Sequence, residues 1–369
     1  MRLFNAKWVA PALGVLALAA CGGDEPRIGT IVFEGPVARP APPPQADALA
    51  NEAFVAFDAH SRVVIVDATS GAVMYEEPRD SVPDLWPQDV AIDRERGRVY
   101  VFDADRNDQY GLITELRLDD MAPRVQRGWV DGRARLWPSS QGVVVFQQGY
   151  GNRWRLLRDD GVATPSAPGT PPAVGWVEED GWLHAFGFAG DSLERTWLFA
   201  GDARLEVERE VLSVGGYDPE RTQILRGGCV GEALVVEQSD QGVAVQVLAG
   251  GVVAAQEHYA TTLIGPVIMA ETIGDGCQGA PGRIALITSD RVTVLDLDGA
   301  VASLSLDVEL EPEPIMTRRV LPWTPQRFFV ATIEGVFAVD VGSSSRPLEL
   351  RWDTSFEGHA LRGPIAGPV

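Results

Sequence analysis

Thiolates and imidazoles are the usual nucleophiles, bases and metal ligands, so the three cysteines and four histidines of this 369-residue chain come first. His60, His184, His258 and His359 stand far apart, with no spacing typical of a metal site. No Gly-x-Ser-x-Gly elbow, His-Glu-x-x-His pair, Walker phosphate loop or Cys-x-x-Cys is present. Lys7 is the only lysine, so beyond the first residues the chain lacks the amine that Schiff-base and pyridoxal-phosphate chemistry need. Carboxylates are what remains. Asp103-Ala104-Asp105-Arg106-Asn107 spaces oxygen ligands at alternate positions, as calcium loops do. The glycine expected next is Asp108, however, and Thr114 stands where the twelfth-position glutamate belongs. Asp307, Glu309, Glu311 and Glu313 form an acidic run interrupted by prolines, which reads as a solvated loop or as a docking strip for a basic partner.

With 31 basic against 52 acidic residues the net charge is −21, which repels a nucleic-acid backbone and makes it a poor partner. The composition, 45% hydrophobic and 22% charged, is that of a globular protein and excludes collagen-like, coiled-coil and disordered classes. Arg2 and Lys7 precede an apolar run from Trp8 to Ala20, too short for a hydrocarbon core that needs about 20 residues but suited to a secretory leader. At its end, Leu18-Ala19-Ala20-Cys21-Gly22 resembles the lipobox of bacterial lipoproteins. The resemblance implies a leader over 1–20, lipidation of Cys21 and an anchor of several acyl chains, enough for stable membrane attachment. Gly22 in place of aspartate implies sorting to the outer membrane, facing the periplasm or the cell surface. Residues 21–50 then form a lipidated tether whose Arg39-Pro40-Ala41-Pro42-Pro43-Pro44 favours a semi-rigid extended spacer. Ile28 to Phe33 reads as a short strand without an evident partner. In an exported, oxidising compartment Cys229 and Cys277 are expected to form a disulfide, worth roughly 4 kcal/mol in the chain-entropy model.

Any site on residues 51–369 must be positioned by a repeat. Ile284 through Asp296 aligns without a gap on Phe328 through Asp340 and on Val55 through Asp67. Each copy is an apolar strand, a short polar turn and a second strand with apolar residues at alternate positions, as at Val63 and Ile65, Val292 and Val294, Val336 and Ala338. Weaker copies place the second strand near Leu112, Trp154, Arg195 and Val243, so the spacings from Val63 to Val336 run 49, 42, 41, 48, 49 and 44 residues. Short strands recurring at this period, with almost no helical pattern between them, predict an all-β fold: a single β-propeller of seven blades with four antiparallel strands each.

One blade reads in full. Pro87 to Asp93, Gly97 to Asp103 and Leu112 to Leu116 resemble the NHL and YVTN propeller repeats. Asp67-Ala68-Thr69-Ser70-Gly71-Ala72-Val73-Met74-Tyr75 resembles the quinoprotein-type repeat found in the propeller lipoprotein of the outer-membrane barrel-assembly machinery, with Ser70 for threonine and Tyr75 for tryptophan. The adjacent-cysteine disulfide of quinoprotein dehydrogenases has no counterpart here, so no redox cofactor is expected. The first hairpin lacks an innermost strand on its N-terminal side. Leu361-Arg362-Gly363-Pro364-Ile365 resembles Leu263-Ile264-Gly265-Pro266-Val267, so the C-terminus is expected to return and close the ring, leaving no unpaired inner edge. On this register Cys229 and Cys277 fall between first and second strands of neighbouring blades. The turns between second and third strands carry Asp58, Asp103 with Asp105, Asp191, Asp240, Asp290 and Glu334, all on one face, and the third blade has Gln147 and Gln148 instead. Aspartate is a favoured turn residue. The alternative is a site for Ca2+ or another divalent cation, or for a basic partner. The functional expectation is a monomeric, non-enzymatic binding or scaffolding module for an envelope protein or polysaccharide. A periplasmic metal-dependent hydrolase or lactonase of the NHL-like kind is the alternative.

Overall fold

The computed structural model describes residues 53–367 other than 59, 79–84, 106–109, 120–124, 150, 160–162, 178–180, 201–204, 228–231, 260–266, 274–281, 289–290, 297–300, 306–319, 332–335, 342–347 and 354–361. Cys21 and the tether, Ile28 to Phe33, Cys229, Cys277, Asp290, Glu334 and the acidic run lie outside the described residues. The strands form seven four-stranded antiparallel sheets, and no α-helix occurs among the described residues.

In order from the inside outward, blade 1 is β28 (Arg362–Ala366), β1 (Ala53–Phe57), β2 (Val63–Asp67) and β3 (Val73–Glu76). Blade 2 is β4 (Trp86–Asp93), β5 (Arg98–Ala104), β6 (Tyr110–Arg117) and β7 (Val125–Asp131). Blade 3 is β8 (Arg133–Ser139), β9 (Gly142–Gln148), β10 (Arg153–Arg158) and the two-residue β11 (Ala167–Pro168). Blade 4 is β12 (Pro172–Val177), β13 (Trp182–Ala189), β14 (Ser192–Ala200) and β15 (Leu205–Gly215). Blade 5 is β16 (Thr222–Arg226), β17 (Glu232–Ser239), β18 (Gly242–Ala249) and β19 (Val252–Tyr259). Blade 6 is β20 (Met269–Ile273), β21 (Arg283–Ile287), β22 (Arg291–Asp296) and β23 (Val301–Ser305). Blade 7 is β24 (Val320–Thr324), β25 (Arg327–Ala331), β26 (Val336–Val341) and β27 (Leu348–Asp353). The propeller is therefore seven-bladed, and β28 closes it by pairing antiparallel with β1, Val55 opposite Ala366 and Phe57 opposite Arg362.

The middle strands are apolar at nearly every position because each blade buries both of its faces. All five residues of β1 are buried. Phe54 and Ala56 pack with Phe329, Ala331, Val336 and Ala338 of blade 7, while Val55 and Phe57 pack with Val90, Val99 and Val101 of blade 2. The same arrangement recurs at each of the other junctions between neighbouring blades. Hydrogen bonds add to it: Asp89 Oδ2 accepts from the Leu136 N–H at 2.7 Å, and Trp137 Nε1 donates to the Gly175 carbonyl at 2.8 Å. Gly175 has to be a glycine, since a Cβ there would lie 2.9 to 3.0 Å from the Trp137 indole.

The hairpin repeat holds in three dimensions with one displacement. Ile284 pairs with Leu295 and Phe328 with Val339, but Val55 pairs with Ile65, one position short of what the gap-free alignment requires. The turn in blade 1 holds one more residue than its counterparts in blades 6 and 7. Ser61 absorbs it in the left-handed region at φ 63°.

Candidate functional site

The face formed by the turns between second and third strands is where the carboxylates were expected, and the described ones sit in distinct settings. Asp58 opens the β1–β2 turn, and its Oδ1 accepts from the N–H groups of His60 (2.8 Å) and Arg62 (2.9 Å). Its Oδ2 pairs with the Arg62 guanidinium at 2.6 to 2.8 Å, and the residue is nearly buried. This is an aspartate turn closed by its own hairpin. Asp103 is not in a turn. It lies within β5 opposite Leu112, is 0% exposed, and faces the Thr114 hydroxyl at 3.5 Å. Asp105 is the turn residue of that blade and accepts from the Tyr110 N–H at 3.2 Å. Asp191 and Asp240 belong to two-residue turns, Gly190-Asp191 and Asp240-Gln241. Asp240 lies 3.7 Å from Arg221 on the surface. In blade 3, Gln147 turns inward to donate to the Asp131 carbonyl at 2.9 Å, and Gln148 ends its strand exposed. The carboxylates are thus distributed around the ring by blade. Among the described residues no group of three or more histidine, cysteine, aspartate or glutamate side chains converges in a way that could hold a metal ion.

Two clusters escaped the sequence reading. The first is ionic and joins blades 2 and 3. Glu115, 3% exposed, receives Arg127 through two bonds of 2.8 Å, with Arg98 at 3.7 Å from the same carboxylate. Arg98 also reaches Asp159, beyond β10, at 2.5 Å. Burial pushes the neighbouring Tyr100 phenol up from its usual value. Its parts lie 61 residues apart in sequence, as Arg98 and Asp159 do, so no local motif announces it.

The second is aromatic and lies at the base of the turn that carries Asp105. Tyr110 and Trp129 are 44% and 49% exposed, with ring centroids 5.8 Å apart and planes tilted by 45°. Tyr110 stands opposite Asp131, and Leu112 opposite Trp129, so alternation puts both rings and the Asp131 carboxylate on one side of the sheet. Trp129, Val130 and Asp131 alternate exposed, buried, exposed along this edge strand, an alternation that the apolar pair Trp129-Val130 hides in the sequence.

In blade 1, Asp67 accepts from Ser70 Oγ (2.7 Å), Ser70 N–H (2.6 Å) and Thr69 N–H (3.0 Å). Partial burial raises the carboxyl, and these three bonds outweigh it and hold it below the usual range. The Ser70 hydroxyl that stands for threonine in the quinoprotein-type repeat thereby closes the β2–β3 turn.

No family model matches the chain, and no curated protein matches it in sequence. Solved structures do match. One, from Bacteroides fragilis and provisionally named a 6-phosphogluconolactonase, superposes with a TM-score of 0.59 at 11% identity, over 88% of this chain and 100% of its own. A protein from Lactobacillus plantarum gives 0.53 at 12% identity over 86% and 99%. Apo AztD from Citrobacter koseri gives 0.51 at 9% identity over 85% and 96%. At such identities the likeness is one of fold, and the fold it shows is the β-propeller.

Proposed function

We propose that the protein is a lipid-anchored envelope propeller that binds or scaffolds another envelope component, a protein or a polysaccharide, without catalysis. The observation that carries this reading is the use made of the turn carboxylates. Asp58 commits both oxygens and Asp105 its Oδ1 to their own hairpins, and the acids are spread around the ring by blade. Such residues shape turns and set a negative potential over one face. The rest of the reading stands on the sequence: Cys21 as acylated residue, an outer-membrane address from Gly22 and a proline spacer that holds a rigid ring off the bilayer.

The test is a tagged pull-down of the full chain from detergent-solubilised envelopes, with a Cys21→Ala variant in parallel. One partner at near-equal stoichiometry, and release of the C21A protein from the membrane fraction, are the expected results. Recovery of nothing specific, with a tightly bound divalent metal in the purified protein and turnover of lactones, would replace this reading by the hydrolase one. That second reading is favoured by the fold shared with the Bacteroides fragilis protein, whose name implies a lactonase.

A further inference from the structure

The exposed end of blade 2 carries a constellation with its own chemistry. Tyr110 and Trp129 are each close to half exposed, with centroids 5.8 Å apart and planes tilted by 45°, a tilted pair rather than a parallel stack. Asp131 lies directly across the ladder from Tyr110 and two residues along β7 from Trp129, on the same side of the sheet and exposed to solvent. Its carboxylate makes no hydrogen bond or ion pair among the described residues. The backbone beneath is held firmly: the Asp131 carbonyl accepts from Gln147 Nε2 at 2.9 Å. Gly132, at φ +89°, passes so close to the Gln148 carbonyl that a Cβ would fall 2.2 Å from that oxygen. The Val130 side chain between them is buried in the core shared with blade 3. The carboxylate and the Trp129 ring are thus presented by a fixed strand end.

We propose that Tyr110, Trp129 and Asp131 form a recognition site for an arginine side chain of a protein partner. Ring faces are electron-rich and attract a cation placed over them, and the effect grows as the cation loses water. A guanidinium is planar and weakly hydrated, so it stacks on an indole or phenol while its N–H groups donate to a carboxylate; an ammonium is compact and strongly hydrated. The charge of the whole chain, −21, concentrates cations around this surface. An uncharged apolar ligand would leave the Asp131 carboxylate unused, and a neutral polysaccharide, though its hydroxyls can donate to that carboxylate, would draw nothing from the negative potential of the chain. The proposal rests on the binding-module reading and names the chemistry of the partner.

The experiment is an NMR titration of the full-length chain, labelled at the tryptophan indoles, with a peptide of alternating arginine and glycine. The Trp129 indole signal is identified by its loss in Trp129→Phe. A saturable shift of that signal is expected with the arginine peptide, a weaker one with the lysine analogue and none with the neutral citrulline analogue. Tyr110→Ala and Asp131→Asn should each weaken binding about two- to fivefold, as expected for an exposed cation–ring contact and an exposed charge pair. Trp129→Ala, followed by calorimetry with the same peptide, should do likewise. Equal binding of the citrulline peptide, or unchanged affinity in all three variants, would overturn the proposal. If the pull-down yields a partner whose recovery is unaffected by W129A with D131N, the binding-module reading survives and this site does not. Peptide binding without any recovered partner gives the converse.

Discussion

Glu115 shows how much a single buried charge matters in this molecule. It is almost fully enclosed and is compensated by the paired bonds from Arg127, with Arg98 beside it. Removing the carboxylate strips both charge-assisted bonds from the half-buried Arg127, while Arg98 keeps its partner Asp159. Glu115→Ala is expected to lower the unfolding free energy by about 1 to 3 kcal/mol in chemical denaturation. Glu115→Gln keeps the shape and should recover part of that loss. Asp67 makes a prediction of opposite visibility, because it is near the surface and its effect appears only with pH. Its folded carboxyl lies below its unfolded value, so the stability it contributes is present above the unfolded pKa and is lost as the pH falls through the folded one. Ser70→Ala removes one of the bonds responsible, and the fall in melting temperature from about pH 5 to about pH 3 should be shallower in the variant.

At the scale of strands, the chain reveals its middle hairpins and conceals its edges. The runs Val63–Val66 and Ile284–Ile287 are legible because burial on both faces demands apolar residues at every position. By contrast β19 exposes seven of its eight positions although it opens with Val252-Val253-Ala254-Ala255, so its apolar run misreports its burial, and β11 has only two residues to read. The displacement of β1 by one residue was equally invisible, since a single turn residue in the left-handed region changes register without changing composition. Asp58 and Asp103 looked equivalent from sequence, yet one opens a turn and the other is enclosed within a strand, because pairing in blade 1 stops at Phe57 and Val63 while in blade 2 it runs on through Asp103 and Leu112 to Ala104 and Gly111. The Tyr110, Trp129 and Asp131 grouping depends on β6–β7 register, which no local pattern specifies. The first and second strands of blades 5 and 6 bear on the two cysteines. Thr272 Oγ1 of β20 donates to the Arg226 carbonyl of β16 at 2.7 Å, just before the segments that contain Cys277 and Cys229. We therefore propose that these cysteines pair. Peptide mapping without reduction should find a Cys229–Cys277 crosslinked peptide, and two alkylatable free thiols in the oxidised protein would contradict it.

For the whole molecule, closure is the feature on which stability turns. Ile365 of β28 is 1% exposed and sits in the core that joins blades 1 and 7, and Ala366 is buried with blades 1 and 2. Truncating Ile365 to Ala is expected to cost about 2 to 5 kcal/mol. Deleting residues 359 to 369 removes the strand and opens an unpaired inner edge, and should lower the melting temperature by on the order of 10 °C or more, since each kcal/mol moves a large domain by about 2 to 4 °C. An unchanged calorimetric melt would mean that the ring holds without its clasp.

The clasp also sets an order of events. Blade 1 brings residues 53–76 together with residues 362–366, so one blade draws on opposite ends of the ring's sequence. During synthesis from the N-terminus, every other blade has all four of its strands available before blade 1 does. Were the chain exported as proposed, β28 would follow the other twenty-seven described strands across the membrane, so the ring could shut only on the far side.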